Sequence, residues 1–160
     1  MIITSFVGIG YKSAQKFNCR INFLKQYLQF IAYVETKVRY SCENIYELIR
    51  GYHAQDNFLL FLTDVKKNVE KYNNFDISFN AAIKNLPKSY GLKKEDIEII
   101  QDFGSNFGKS DVVGQLNFCK LQRDLINASL SLARDEKEKK AKLYFMLWSM
   151  SGLSVVLALI

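Results

Sequence analysis

The sequence predicts an all-α helical bundle in the cytosol, with a C-terminal transmembrane helix, and three observations carry that expectation. The first is a shortage of chain breakers: 160 residues contain one proline, Pro87, and eight glycines. A sandwich or barrel needs a turn signal roughly every 8–12 residues, which this chain does not have. The second is apolar spacing. Nearly half the residues (49%) are hydrophobic, and through the middle of the chain they recur in steps of three and four, the period of one helix face. The third is the placement of charge. All 22 Lys and Arg and all 16 Asp and Glu lie between Lys12 and Lys142, leaving both ends bare. The chain therefore divides into a short apolar segment 1–11, a helical domain 12–142 and an apolar tail 143–160.

The N-terminal segment Met1–Tyr11 is puzzling by itself, because eleven residues make a helix of only about 17 Å. That is too short to cross a bilayer core of roughly 30 Å. It has neither the basic start nor the small-residue cleavage site of a signal peptide. The expectation is a re-entrant or interfacial anchor, or the remnant of a longer membrane arm.

From Lys12 onward, Phe17, Ile21, Leu24, Leu28, Ile31, Val34 and Val38 form one stripe on a long helix. Ser41–Asn44 interrupts it, and Asn44 is placed to cap a short helix carrying Ile45, Leu48 and Ile49. Asp56 or Asn57 begins the next helix, with Phe58, Leu59, Leu62, Val65 and Val69 expected inward and Asn73-Asn74 ending it. Ser78 is expected to cap a short helix running to Leu86, stopped by Pro87 and Gly91. Lys93–Phe107 follows, with Ile97, Ile100, Phe103 and Phe107 at core spacing. Glu95, Asp96 and Glu98 in its first turn suit the helix dipole and are expected to be solvated.

After a turn at Gly108, Ser110 or Asp111 caps a last helix. It carries two apolar series: Phe118, Leu121, Leu125, Ala128 and Leu132, and Leu116, Cys119, Ile126, Leu130 and Ala133. Two such faces predict a central helix buried on both sides. No breaker separates it from Leu143, so one helix of about 75 Å is expected from Asp111 to Ile160. Its final 18 residues span about 27 Å. Their nine Leu, Ile, Val and Phe contribute roughly −3 to −5 kcal/mol to insertion. The preceding Arg134–Lys142 has five basic and three acidic residues, a flank that the positive-inside rule keeps in the cytoplasm.

Several function classes fit poorly. Cys19, Cys42 and Cys119 are an odd number without a CxxC pair, and His53 is the only histidine, so neither a disulfide framework nor a metal site is expected. The net charge of +6 arises from basic residues interleaved with acids, as in Lys93-Lys94-Glu95-Asp96, and makes no single cationic stripe for nucleic acid. Gly104-Ser-Asn-Phe-Gly108-Lys109-Ser110 imitates a phosphate-binding loop. Its glycines are one residue too close, though, and the preceding residues read as helix where that motif needs a strand. The simpler reading is a structural corner of Gly104, Gly108, Ser110 and Gly114. No nucleophile has a base at a recognisable spacing, so neither an enzyme nor a cofactor is expected.

The stretch Phe107-Gly108-Lys109-Ser110-Asp111-Val112-Val113-Gly114-Gln115 resembles a Leu-Gly-Lys-Ser/Thr-Asp-x-x-Gly-Gln segment of the stage III sporulation protein AB family. Leu28–Tyr40, with Val34-Glu35-Thr36, is similar to that family's Leu-Glu-Thr-Glu-Ile helix. Lys142-Leu143-Tyr144 and Gly152-Leu153 match the opening and interior of its final apolar segment. Two departures stand out: Ser41–Asn44 replaces a proline-containing turn, and the N-terminal apolar segment is shorter than usual.

The resemblance implies a structural component, not an enzyme, in the channel-like complex linking mother cell and forespore. Its helical domain would be similar to those of platform proteins of type II secretion and type IV pilus machines. It would meet the hexameric ATPase, stage III sporulation protein AA, at the mother-cell membrane around the forespore. Lys109, Asp111 and Gln115 are the expected partner-contact residues, and self-association stays open. The alternatives are a platform subunit of an ordinary secretion or pilus system, whose helical domain is normally repeated, and a small nucleotide-binding protein.

Overall fold

A computed structural model describes the backbone of residues 2–41 and 44–159 and the side chains of residues 15–41, 44–143 and Met146. Among these residues six α-helices follow one another: α1 Ile2–Tyr40, α2 Ile45–Gly51, α3 Asp56–Tyr72, α4 Phe75–Lys84, α5 Lys94–Asn106 and α6 Val112–Leu159. A 3-10 turn, Lys88–Tyr90, lies between α4 and α5, and no strand occurs among the described residues. The expected all-α class is what the chain adopts.

The longest contact joins α1 to α6, and α3, α4 and α5 complete a ring in which each helix touches the next. The short α2 leans on α3, and the 3-10 turn packs against α1. Inside the ring the core is largely aromatic. Phe23, Tyr27 and Phe30 of α1 meet Phe58 and Phe61 of α3, and Phe79 and Phe103 continue the contact into α4 and α5. Most of these pairs are edge-on or tilted at 5–6.5 Å, geometries worth roughly 0.5–1.5 kcal/mol each beyond burial. The stripe expected on α1 is therefore only half of its buried face: Phe23, Tyr27 and Phe30, one step round the helix, are fully enclosed.

Helix ends follow local chemistry. Asn44 Oδ1 accepts from Tyr46 N–H and caps α2 as expected. Asn73 ends α3 in the left-handed region (φ 47°), which asparagine tolerates. The next residue then reverses that role: Asn74 Oδ1 accepts from Ile77 N–H and caps α4. Ser78, expected as that cap, is instead buried inside the helix, its hydroxyl donating to the Asn74 carbonyl. The helix also stops at Lys84, short of Leu86.

Three further expectations are corrected. Leu59 faces solvent, and Phe61 takes its place on the inner side of α3. Asp96 is completely buried, held there by the guanidinium of Arg20. On α6 only one series is buried: Cys119, Ile126, Leu130 and Ala133, with Gln122 and Ser129. In the other, Leu121, Leu125 and Leu132 are 51%, 39% and 59% exposed. As a member of the ring the helix packs on α1 and α5 through one side, and among the described residues its outward side faces solvent.

The last helix does run without interruption from the corner through Lys142 to Leu159. Among the described residues, no helix is long and apolar enough to cross a membrane. The expected span 143–160 falls outside the residues whose side chains are described, apart from Leu143 and Met146. Cys42 also lies outside the described residues.

Candidate functional site

The corner between α5 and α6 gathers all the residues singled out for partner contact. It is built on a dry floor: Phe107 N–H donates to Phe103 O at 3.0 Å, and the two rings stack at 4.8 Å. Gly104 lies one turn back, buried where α5 crosses α4, and a Cβ there would collide with the Phe79 ring. Gly108 then turns the chain at φ 85°, a region open to glycine at little cost.

Beyond Gly108 the chain forms a compact cap. Asp111 Oδ1 accepts from Gly114 N–H at 2.9 Å, and its carbonyl accepts from Gln115 N–H at 2.9 Å. Of the two candidates for the cap, Asp111 is therefore the one used. Gln115 reaches back across the turn, its Nε2 donating to the Ser110 carbonyl at 3.0 Å. A side chain at Gly114 would press on Ser110 and Asp111 at 2.8–2.9 Å. Asp111 and Gln115 thus spend their polar groups on the loop itself. Lys109 does not: its side chain is exposed and makes no ion pair or side-chain hydrogen bond among the described residues. The corner presents a lysine on a frame held by its own hydrogen bonds.

As a phosphate cradle the same residues are badly arranged. Gly104 is inside α5, and residues 94–106 are helical up to the turn, so no strand delivers the loop. Among the described residues, no group of His, Cys, Asp and Glu is placed to hold a metal ion. Cys119 is enclosed, and burial pushes its thiol up to about 12, far from thiolate chemistry at neutral pH.

At the opposite end of the bundle an ionic cluster links three helices that no local pattern connects. Arg20 of α1 donates through Nε and Nη2 to both carboxylate oxygens of Asp96 at 2.7 and 3.0 Å. Its third nitrogen, Nη1, reaches Glu136 of α6 at 3.1 Å, and Lys93 holds the other Glu136 oxygen. Asp96 also accepts from Lys93 N–H at 2.8 Å and so closes the first turn of α5. Desolvation works against the Arg20 charge, but the hydrogen bond and field of Asp96 outweigh it and raise the pKa. The Lys93 hydrogen bond holds Glu136 below its ordinary value against the opposing effect of burial, with the Lys93, Arg20 and Lys140 charges adding to it. The signal that could have found Asp96 is its place three residues after Lys93, the N-cap of α5, half of a capping box.

A second buried polar link joins α5 to α6, where Gln122 donates to Asp102 at 2.9 Å and accepts from the Tyr27 hydroxyl. A cavity of about 260 Å³ opens beside α3 and the Pro87 turn, lined mainly by Leu60, Phe61, Ala82, Leu86 and Tyr90. The Tyr90 hydroxyl is buried and has no hydrogen-bond partner among the described residues.

Compared with known families, the chain matches the model described as stage III sporulation protein AB over residues 1–160, its whole length. No curated protein and no solved structure matches it.

Proposed function

The chain belongs to the stage III sporulation protein AB family and is thus a sporulation protein, and from that premise we propose that it is a membrane-anchored assembly component that positions a cytosolic ATPase. The complex is the channel between mother cell and forespore, and the ATPase is stage III sporulation protein AA. Residues 143–160 are the anchor, and the bundle 12–142 faces the mother-cell cytosol.

The observation that carries this reading is the continuity of α6. From Val112 to Lys142 it is one helix inside the bundle, about 46 Å long by its rise, and it goes on as helix into the apolar tail. A strut of that kind holds the α5–α6 corner at a set height above the surface in which its other end is fixed. Lys109 stands at that far tip, where a large cytosolic assembly has room to dock. Asp111 and Gln115 serve the contact by shaping the loop that carries it.

The test is the full chain in detergent with Lys109→Glu, measured for binding to the purified ATPase. Reversing a lysine at the centre of a contact weakens binding by about tenfold or more. Unchanged affinity with an unchanged melting temperature removes the corner from the interface.

A further inference from the structure

The net charge of the chain is gathered at one end of the bundle. Residues 12–20, 88–98 and 134–142 together hold 11 basic and 6 acidic residues, whereas the rest of the chain holds 11 and 10. The fold brings these three segments to one level. α1 and α6 run antiparallel: Tyr27 meets Gln122, Arg20 meets Glu136, and the Lys140 ammonium lies 4.6 Å from the centre of the Phe17 ring. The turn before α5 closes on the same level, where a Cβ at Gly91 would strike the Lys16 carbonyl at 2.8 Å and where Lys93 holds Glu136.

The acids of this end are largely spent inside it. Asp96 and Glu136 are taken by Arg20 and Lys93, and Glu98 pairs with Lys94. Glu95, Asp135 and Glu138 remain, against the exposed Lys16, Lys88, Arg134, Lys137, Lys139 and Lys142, none of which has an ion pair among the described residues. Helix periodicity places some of these cations under the core. On α1 the enclosed face of Tyr27, Phe23 and Arg20 is continued by Lys16, and on α6 that of Ile126, Leu130 and Ala133 is continued by Lys137 and Lys140. The faces by which the two helices pack thus change from apolar to lysine, and an anion from outside the chain relieves the repulsion between them.

We propose that this end of the bundle binds the headgroups of anionic phospholipids, its lysines closing on phosphodiester oxygens. Both long helices go on past it, α1 to Ile2 and α6 to Leu159, through segments 1–11 and 143–160 that contain no charged residue. The collar is therefore the last charged layer before two apolar stretches, the height at which headgroups lie, and lipid of negative charge is the occupant that matches it. That height rests on the anchored reading, whereas the excess of unpaired cations does not. Each basic residue near an anionic surface strengthens the attraction about fivefold, and salt screens it.

The experiment uses full-length chain reconstituted into phosphatidylcholine vesicles with and without phosphatidylglycerol. Spin-labelled forms of the two lipids report how strongly each is held at the protein. A preference of about fivefold for phosphatidylglycerol is expected at low salt, falling toward parity at high salt. Lys16→Gln with Lys137→Gln should cut it to half or less at an unchanged melting temperature, because neither side chain has an internal partner. Lys37→Gln with Lys120→Gln removes equal charge about 25–30 Å up the same two helices and should leave the preference in place.

Equal holding of the two lipids, a preference that survives high salt, or equal loss in both double variants each overturns the proposal. So does erasure of the preference by inorganic phosphate at matched ionic strength, which would assign the lysines to a soluble anion. Flotation of the same vesicles separates the two readings. Chain that floats with phosphatidylcholine alone yet holds both lipids alike keeps the anchor and sinks the collar. Chain that floats only when phosphatidylglycerol is present keeps the collar and sinks the anchor, and chain that floats with neither sinks both.

Discussion

Arg20 is the residue on which most long-range order converges. Its guanidinium is almost wholly enclosed and satisfies a carboxylate, Asp96, that has no contact with water. Removing one member of such a pair leaves the other buried and uncompensated, which typically costs about 3–5 kcal/mol. Arg20→Met is accordingly expected to lower the unfolding free energy by about that amount in a denaturant titration. Arg20→Met with Asp96→Leu should recover part of the loss, but not all, because Asp96 also accepts the Lys93 N–H. A loss under about 1 kcal/mol for the single variant would mean the cluster is solvated in solution.

The third member of the cluster sets a pH dependence. Glu136 has a pKa lowered in the folded chain, so its contribution is present above the ordinary glutamate value of about 4.3. It is lost as pH falls through the depressed value. Melting temperature should therefore decline on the acid side, and Glu136→Gln should make that limb shallower while lowering stability at neutral pH. An acid limb of identical slope in the variant would assign the decline to other carboxylates.

At the scale of the element, the corner separates two kinds of residue that look alike in the sequence. Asp111→Ala deprives Gly114 N–H of its acceptor and should destabilise the chain by about 1 kcal/mol, the usual worth of such a cap. Lys109→Glu touches no internal contact and should leave the melting curve in place. Thermal melts of the two variants side by side check this, and equal destabilisation would show that Lys109 also supports the turn.

The same division between local and distant decides how much of the fold and of the corner is legible in the sequence. Asn44, Pro87, Gly108 and Asp111 act within one turn of themselves, so their types and spacing are enough to place helix ends. The junction between α3 and α4 is harder, because Asn73 closes one helix and Asn74 opens the next with no residue between. A search for a loop there passes over Asn74 and settles on Ser78. Arg20 meets partners 76 and 116 positions away, and no spacing rule reports such a meeting. Periodicity located both apolar faces of α6 correctly. It could not say that only one would be covered, since a pattern specifies a face and the packing decides its neighbour.

For the whole molecule, the question is what holds a bundle with two overlong helices. Among the described residues the buried core runs from Arg20 to Ala133, within the charged part of the chain. Stability of the domain and attachment to a membrane should therefore separate cleanly. The full chain is expected in the membrane pellet, resistant to high salt and alkaline carbonate and released by detergent. Protease added from the cytosolic side should digest the domain and spare a fragment containing 143–160. A chain ending at Lys142 should appear in the supernatant, because its most apolar stretch is gone while the core that folds it remains. Its melting temperature should match that of the detergent-solubilised full chain, for the buried residues that α6 contributes among the described ones extend from Cys119 to Ala133. Full-length chain recovered in the supernatant without detergent would show that the tail is buried in protein instead of lipid, and a truncated chain that fails to fold would place part of the core beyond Lys142.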